Sequence, residues 1–127
     1  YPAVDMRRGH PSHQTNAQGY VLTADTMDYF IGHYLPDAAA ATDWRASPLL
    51  APRHAGLPPA LVLTAGHDPL CDEGLDYARM LSGGGNTVSC VCFSRQIHGF
   101  ILMGRVLDEA NTAVTLCAGE LRRHLKP

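Results

Sequence analysis

Hydrophobic and polar positions follow no regular period at the start of the chain. Residues 1–19 are polar and broken by Pro2, Gly9, Pro11 and Gly19, so a long loop is expected there. A helical period begins after Thr23, which suits an N-cap, with Asp25 and Asp28 near the positive end of the helix. Met27, Phe30, Ile31 and Tyr34 follow at i, i+3, i+4 and i+7, which predicts one apolar face; Pro36 ends it. The alanine patch from Ala38 to Ala41, the Asp43-Trp44-Arg45 segment and Ser47-Pro48 lead into a second loop over residues 52–59.

The pattern then changes. Leu61 to Ala65 is a short apolar run bounded by prolines and a glycine, the mark of a strand buried on both faces. Asp72 suits the cap of a helix over residues 73–82, with Leu75, Ala78 and Leu81 on one side and Gly83-Gly84-Gly85 as the stop. Val88 to Phe93 predicts a second buried strand. Leu107, Ala110, Val114, Cys117, Leu121 and Leu125 predict a closing helix over about 107–124.

Strand, helix, strand, helix is the order of a right-handed βαβ unit, and the fold class is α/β. Two strands leave both edges of a parallel sheet open. Missing strands are therefore expected, from an N-terminal region or from self-association through the open edge. A start at Tyr1-Pro2 rather than Met fits a piece of a longer chain.

Charge and composition narrow the partners. The net charge is -2 and no basic cluster is longer than Arg122-Arg123, which argues against nucleic acid or an anionic membrane as the partner. No apolar stretch is long enough to span a bilayer. Cys71, Cys90, Cys92 and Cys117 are expected as buried free thiols, which suits a cytoplasmic location. His10, His13, His33, His54 and His124 are expected in solvent.

Two loops carry candidate chemistry, and each follows a strand, where active sites of open α/β sheets lie. In the first, Asp68 precedes Pro69, which holds it extended. In the second, His98 precedes Gly99. Taken alone, Asp68 reads equally well as a turn residue and His98 as a packed loop histidine. Together, at successive strand ends, an Asp accepting Nδ1–H from a His is the pairing that orients a general base. A metal site from His67, Asp68, Cys71, Asp72 and His98 is a weaker alternative, because no CxxC or HExxH pattern is present. Neither a metal nor a cofactor is expected.

The motif Asp68-Pro69-Leu70-x-Asp72-Glu73-Gly74, followed by Ile97-His98-Gly99-Phe100, resembles the hormone-sensitive-lipase-like family of esterases and lipases. Tyr1-Pro2, Gly19-Tyr20-x-Leu22-Thr23, Tyr34-Leu35, Ser47-Pro48-Leu49 and Gly56-Leu57-Pro58-Pro59-Ala60 are similar to it too. The resemblance implies the C-terminal part of an α/β-hydrolase: a doubly wound, mostly parallel sheet with part of a helical cap. Residues 1–55 would be loop and partial cap, and residues 56–127 the strand-helix-strand-helix of the core. Asp68 would be the triad acid and His98 the base. Met27, Phe30 and Tyr34 would line the acyl pocket, with Ile97 and Phe100 also against a small ester substrate.

The family's other two motifs, a His-Gly-Gly oxyanion loop and a G-x-S-x-G elbow, do not occur in these 127 residues. Ser12, Ser47, Ser82, Ser89 and Ser94 all lack the elbow setting. Cys71 and Arg95-Gln96 stand where relatives more often carry a basic residue and a glycine. The resemblance therefore implies a carboxylic ester hydrolase working through an acyl-serine, of which the isolated chain would be inactive. The alternative is a non-catalytic module of the same fold that pairs through its sheet edge.

Overall fold

The apolar run after Pro59 forms β1, Ala60–His67, in a computed structural model that describes residues 1–125. Its partner is β2, Val88–Ile97, and the two run parallel as a two-stranded sheet. The crossover between them is α3, Cys71–Gly83. Before this unit lie a single helical turn, α1 (Ser12–Thr15), and α2 (Ala24–Tyr34); after it comes α4 (Asp108–His124). Short 3-10 turns occupy Ala38–Thr42, Pro48–Leu50 and Phe100–Leu102.

Alternation along β1 assigns the two faces of the sheet. Val62 packs with Ala78 and Leu81 of α3. Leu63 and Ala65 pack on the other face with Phe100 and with Ala110 and Ala113 of α4. The sheet is thus sandwiched between α3 and α4, and Val62, Leu63, Thr64 and Ala65 are buried as a two-sided strand demands.

Several elements differ from their expected form. The helix α3 begins at Cys71, and Leu70, not Asp72, occupies its N-cap. The Asp72 carboxylate instead accepts from the Ser12 backbone N–H at 2.8 Å, a partner that local sequence cannot reveal. The strand β2 is longer than expected and only half-buried, with Cys90 and Cys92 exposed. Among the described residues no strand pairs with its outer edge, and α3 lies mainly over β1. In α4 the inward face is made by Ala110 and Ala113, whereas Val114, Leu121 and Leu125 are exposed. Thr23 does cap α2, accepting from the Thr26 N–H.

The loop over residues 1–19 is folded onto the core. Val4, Asp5, Ser12 and His13 are buried, and so is His54 further on. His13 and His54 therefore depart from the solvated reading. No helix among the described residues is long and apolar enough to cross a membrane.

Candidate active site

The sheet register brings the two chemical loops together. Residues pair in step from Ala60↔Val88 to Ala65↔Phe93, and then His67 pairs with Ile97. Ser94, Arg95 and Gln96 thus stand opposite the single residue Gly66, a bulge that bends the outer strand. The backbones are so close there that a Cβ on Gly66 would lie 2.1 Å from the Ser94 carbonyl oxygen. Once His67 and Ile97 are paired, the next residues, Asp68 and His98, emerge side by side.

They are hydrogen-bonded. His98 Nδ1 and Asp68 Oδ2 are 2.8 Å apart. Asp68 is fully buried, and its other oxygen, Oδ1, accepts from the Leu70 N–H at 2.9 Å. Asp68 thus makes both the turn contact and the contact to the histidine, one on each oxygen. With Nδ1–H donating to the carboxylate, the Nε2 of His98 carries the free lone pair. Beneath the ring, Gly99 turns the chain at φ +82°, a conformation that side chains disfavour. The Tyr1 ring rests against the His98 ring with centroids 4.5 Å apart.

His98 opens on a cavity of about 380 Å³ whose wall includes Tyr1, Leu22, Met27, Phe30, Ile31 and Tyr34. A mostly apolar cavity with a few polar groups suits a small organic ligand. Met27 is buried, while Phe30 and Tyr34 line the wall with most of their surface still open, at 61% and 63% exposure. Two other expected contacts lie elsewhere. Phe100 is wholly buried in the core against Phe93, and neither it nor Ile97 belongs to this wall. A packed aromatic after Gly99 anchors the loop from below instead.

A second layer, which local pattern could not disclose, ties residues 1–16 to the Asp68 loop. Glu73, although an acidic side chain, is 1% exposed. Its Oε1 accepts from the N–H groups of Val4 (2.5 Å) and Asp5 (3.2 Å), and its Oε2 meets His13 Nε2 at 2.6 Å. Ser12 Oγ donates to the Pro69 carbonyl at 2.6 Å and accepts from the Asp72 N–H at 3.1 Å. Asn16 Nδ2 donates to the carbonyls of Gly66 (3.2 Å) and Asp68 (3.1 Å).

His10, His13 and Glu73 place potential ligand atoms within 4.8 Å of one another. Hydrogen bonding argues against a metal there. His13 Nδ1 accepts from the His10 N–H at 3.2 Å, which puts the ring proton on Nε2, facing Glu73. A metal on Nε2 would require the proton on Nδ1, aimed at another N–H. The set His67, Asp68, Cys71, Asp72 and His98 forms no such group among the described residues.

Comparison with known proteins accords with this geometry. A family model described as the alpha/beta hydrolase fold matches residues 1–102. The ethyl acetate hydrolase of Pseudomonas putida is 36% identical over 125 residues, covering 98% of this chain and 39% of that protein. This chain belongs to the hormone-sensitive-lipase-like α/β-hydrolases. The carboxylesterase NlhH of Mycobacterium tuberculosis is 33% identical over 128 residues, covering 98% of this chain and 40% of that protein. Among solved structures, the thermophilic carboxylesterase EstE1, cloned from a metagenomic library, superposes with a TM-score of 0.91 at 37% identity, covering 100% of this chain and 44% of that one. The ester-hydrolase EH1AB1 from the metagenome of Lake Arreo has the same TM-score at 41% identity, with 98% and 40% covered. The α/β-hydrolase chain thus spans about two fifths of the length of these relatives.

Proposed function

We propose that the chain supplies the acid and the histidine of a serine carboxylesterase whose nucleophile and oxyanion donors lie outside these 127 residues. The observation that carries this reading is the 2.8 Å bond from His98 Nδ1 to the buried Asp68 carboxylate, with the imidazole opening on an apolar cavity.

The chemistry follows from the tautomer. Asp68 holds the proton on Nδ1 and leaves Nε2 free to act as a base. His98 takes the serine proton as that oxygen attacks the ester carbonyl, and returns it to the departing alcohol. It then takes a proton from the water that attacks the acyl-serine and gives it to the serine oxygen as the carboxylic acid leaves. Asp68 stabilises the imidazolium in both halves without being protonated. Met27, Phe30 and Tyr34 contribute to the wall that holds the ester, as part of a cap formed from residues before about 55.

Names of relatives support this reading: one is an ethyl acetate hydrolase and others are carboxylesterases. By the same logic the isolated chain turns over no ester, since its base has no serine to deprotonate. A non-catalytic module that pairs through its sheet edge would be favoured by an oligomer that buries the strand with Asp68 and His98 unbonded; the bond between them lends it no support.

The test is hydrolysis of short nitrophenyl esters by the full-length protein and its His98→Ala variant. Loss of turnover in a folded variant is expected. Undiminished turnover would remove His98 from the mechanism.

A further inference from the structure

We propose that Cys92 and Cys71 form an oxidisable dithiol, closed to a disulfide by peroxide, which ties β2 to the first residue of α3. The modification stands apart from the esterase chemistry.

The sheet register and the placement of α3 bring the two residues to one face of the sheet. Thr64 and Cys92 are paired in the parallel ladder, so their side chains leave the same face of the sheet. That face is the α3 side. A Cβ on Gly74 of α3 would meet Thr64 Cγ2 at 2.8 Å, and Val62, two residues earlier, packs on Ala78 and Leu81. Cys92 therefore points at α3. Cys71, the first residue of α3, lies one turn before Gly74 and is buried. It therefore faces the same stretch of the sheet, where Cys92 is its neighbouring thiol.

The other two thiols are placed differently. Cys90 is lower on the strand, beside Ala78 and Arg79. Cys117 packs on the α4 side of the sheet.

Accessibility sets the order of events. Cys92 is exposed and meets the oxidant first, whereas burial, and then the neighbouring Cys92 thiol, push Cys71 up to about 11. The Cys92 thiolate attacks one oxygen of hydrogen peroxide, breaking the O–O bond and leaving a sulfenic acid and hydroxide. The Cys71 sulfur then attacks the sulfenic sulfur, forming the S–S bond and expelling the oxygen, which leaves as water with the thiol proton. Two thiols are oxidised by two electrons, and one peroxide is reduced to two waters. The bond would join the helix that begins just after Asp68 to the strand that leads into His98. A thiol reductant reopens it.

Trypsin separates the partners, because Arg53, Arg79 and Arg95 divide the region into residues 54–79, which hold Cys71, and 80–95, which hold Cys90 and Cys92. The full-length protein is treated with hydrogen peroxide under native conditions, then alkylated, digested and analysed by mass spectrometry. The expected product is a cross-link between these two peptides, about 2 Da lighter than their sum, mapped to Cys71 and Cys92 and lost on reduction. Cys92→Ser abolishes it and Cys90→Ser leaves it. Cys71→Ser leaves a sulfenic acid on Cys92 that dimedone captures. Free thiols after treatment, a link through Cys90, or an equal yield from urea-unfolded protein would each overturn the proposal.

Discussion

The imidazole of His13 donates from Nε2 to Glu73 Oε2 across 2.6 Å, and both side chains are almost completely buried. The Glu73 carboxylate also accepts two backbone N–H groups from residues 4 and 5, so one side chain of α3 holds the first loop in place at three points. It further lines the cavity that His98 faces. A buried carboxylate of this kind costs free energy to desolvate, and its removal leaves its donors without partners. Glu73→Gln keeps the shape but turns an NH₂ toward one set of donors. A loss of about 1–3 kcal/mol of unfolding free energy is expected, read from urea midpoints at unchanged slope. An unchanged midpoint would show that the three contacts do not hold the loop.

What the sequence discloses, and what it hides, divides along the same line. Periodicity located β1 and α3 because each buries residues at its own local period, as Val62 to Ala65 and Ala78 and Leu81 do; it also located α2 and α4, although Phe30, Tyr34, Val114 and Leu121 on their apolar stripes are exposed. Asp68 and His98 were legible because each follows a strand and stands next to a residue, Pro69 or Gly99, that shapes the backbone. His13, Ser12, Asn16 and Glu73 were not. Their partners lie fifty to seventy positions away, and a serine or histidine in a polar loop carries no mark of a distant carboxylate. Cys90 and Cys92 misled for a related reason: they sit in an apolar-looking run, but burial depends on what covers the outer strand.

The pairing of Asp68 with His98 makes a specific kinetic prediction. Asn at position 68 presents either an oxygen or an NH₂ to His98 Nδ1, and the negative charge is gone. The imidazolium formed during proton transfer then has no counter-charge, and the tautomer with Nε2 free is no longer favoured. In the full-length protein, Asp68→Asn is expected to lower kcat by about 10⁴-fold with KM nearly unchanged, since the cavity wall is untouched. Steady-state kinetics on a short acyl ester decides it. An equal fall in affinity would mean that Asp68 shapes the pocket rather than the base.

Acid stability should depend on Asp5. Its carboxylate is buried and bound in two places by Arg7, with Nε to Oδ1 and Nη2 to Oδ2 both at 2.8 Å, and His10 Nδ1 lies 3.8 Å away. The Arg7 side-chain hydrogen bonds hold Asp5 below its ordinary value of 3.8. A depressed carboxylate contributes stability that is complete above the unfolded value and is lost as pH falls through the folded one. The contribution is about 1 kcal/mol, because Arg7 is half in water and screened. Urea midpoints measured from pH 5 downward are expected to fall less steeply for Asp5→Asn than for the parent chain. Parallel curves would show that Asp5 titrates alike in both states.

The bulge at Gly66 offers the sharpest test of how the fold places the site. Opposite it, β2 carries three residues, and the Ser94 carbonyl occupies the space that a side chain would need. A Cβ at 2.1 Å from that oxygen meets backbone, not a flexible side chain, so the strands themselves must separate. The displacement is transmitted first to His67 and Ile97, the last paired residues, and then to Asp68 and His98, whose 2.8 Å bond has little room to stretch. Gly66→Ala should therefore cost about 1–3 kcal/mol from overpacking and also lengthen the Asp68–His98 bond. Gly83→Ala is the matched control, because a Cβ there meets nothing within 4 Å. Turnover that falls for Gly66→Ala well below the fraction still folded, and stays unchanged for Gly83→Ala, would tie the bulge to the alignment of the pair. Turnover that merely tracks the folded fraction would confine Gly66 to packing.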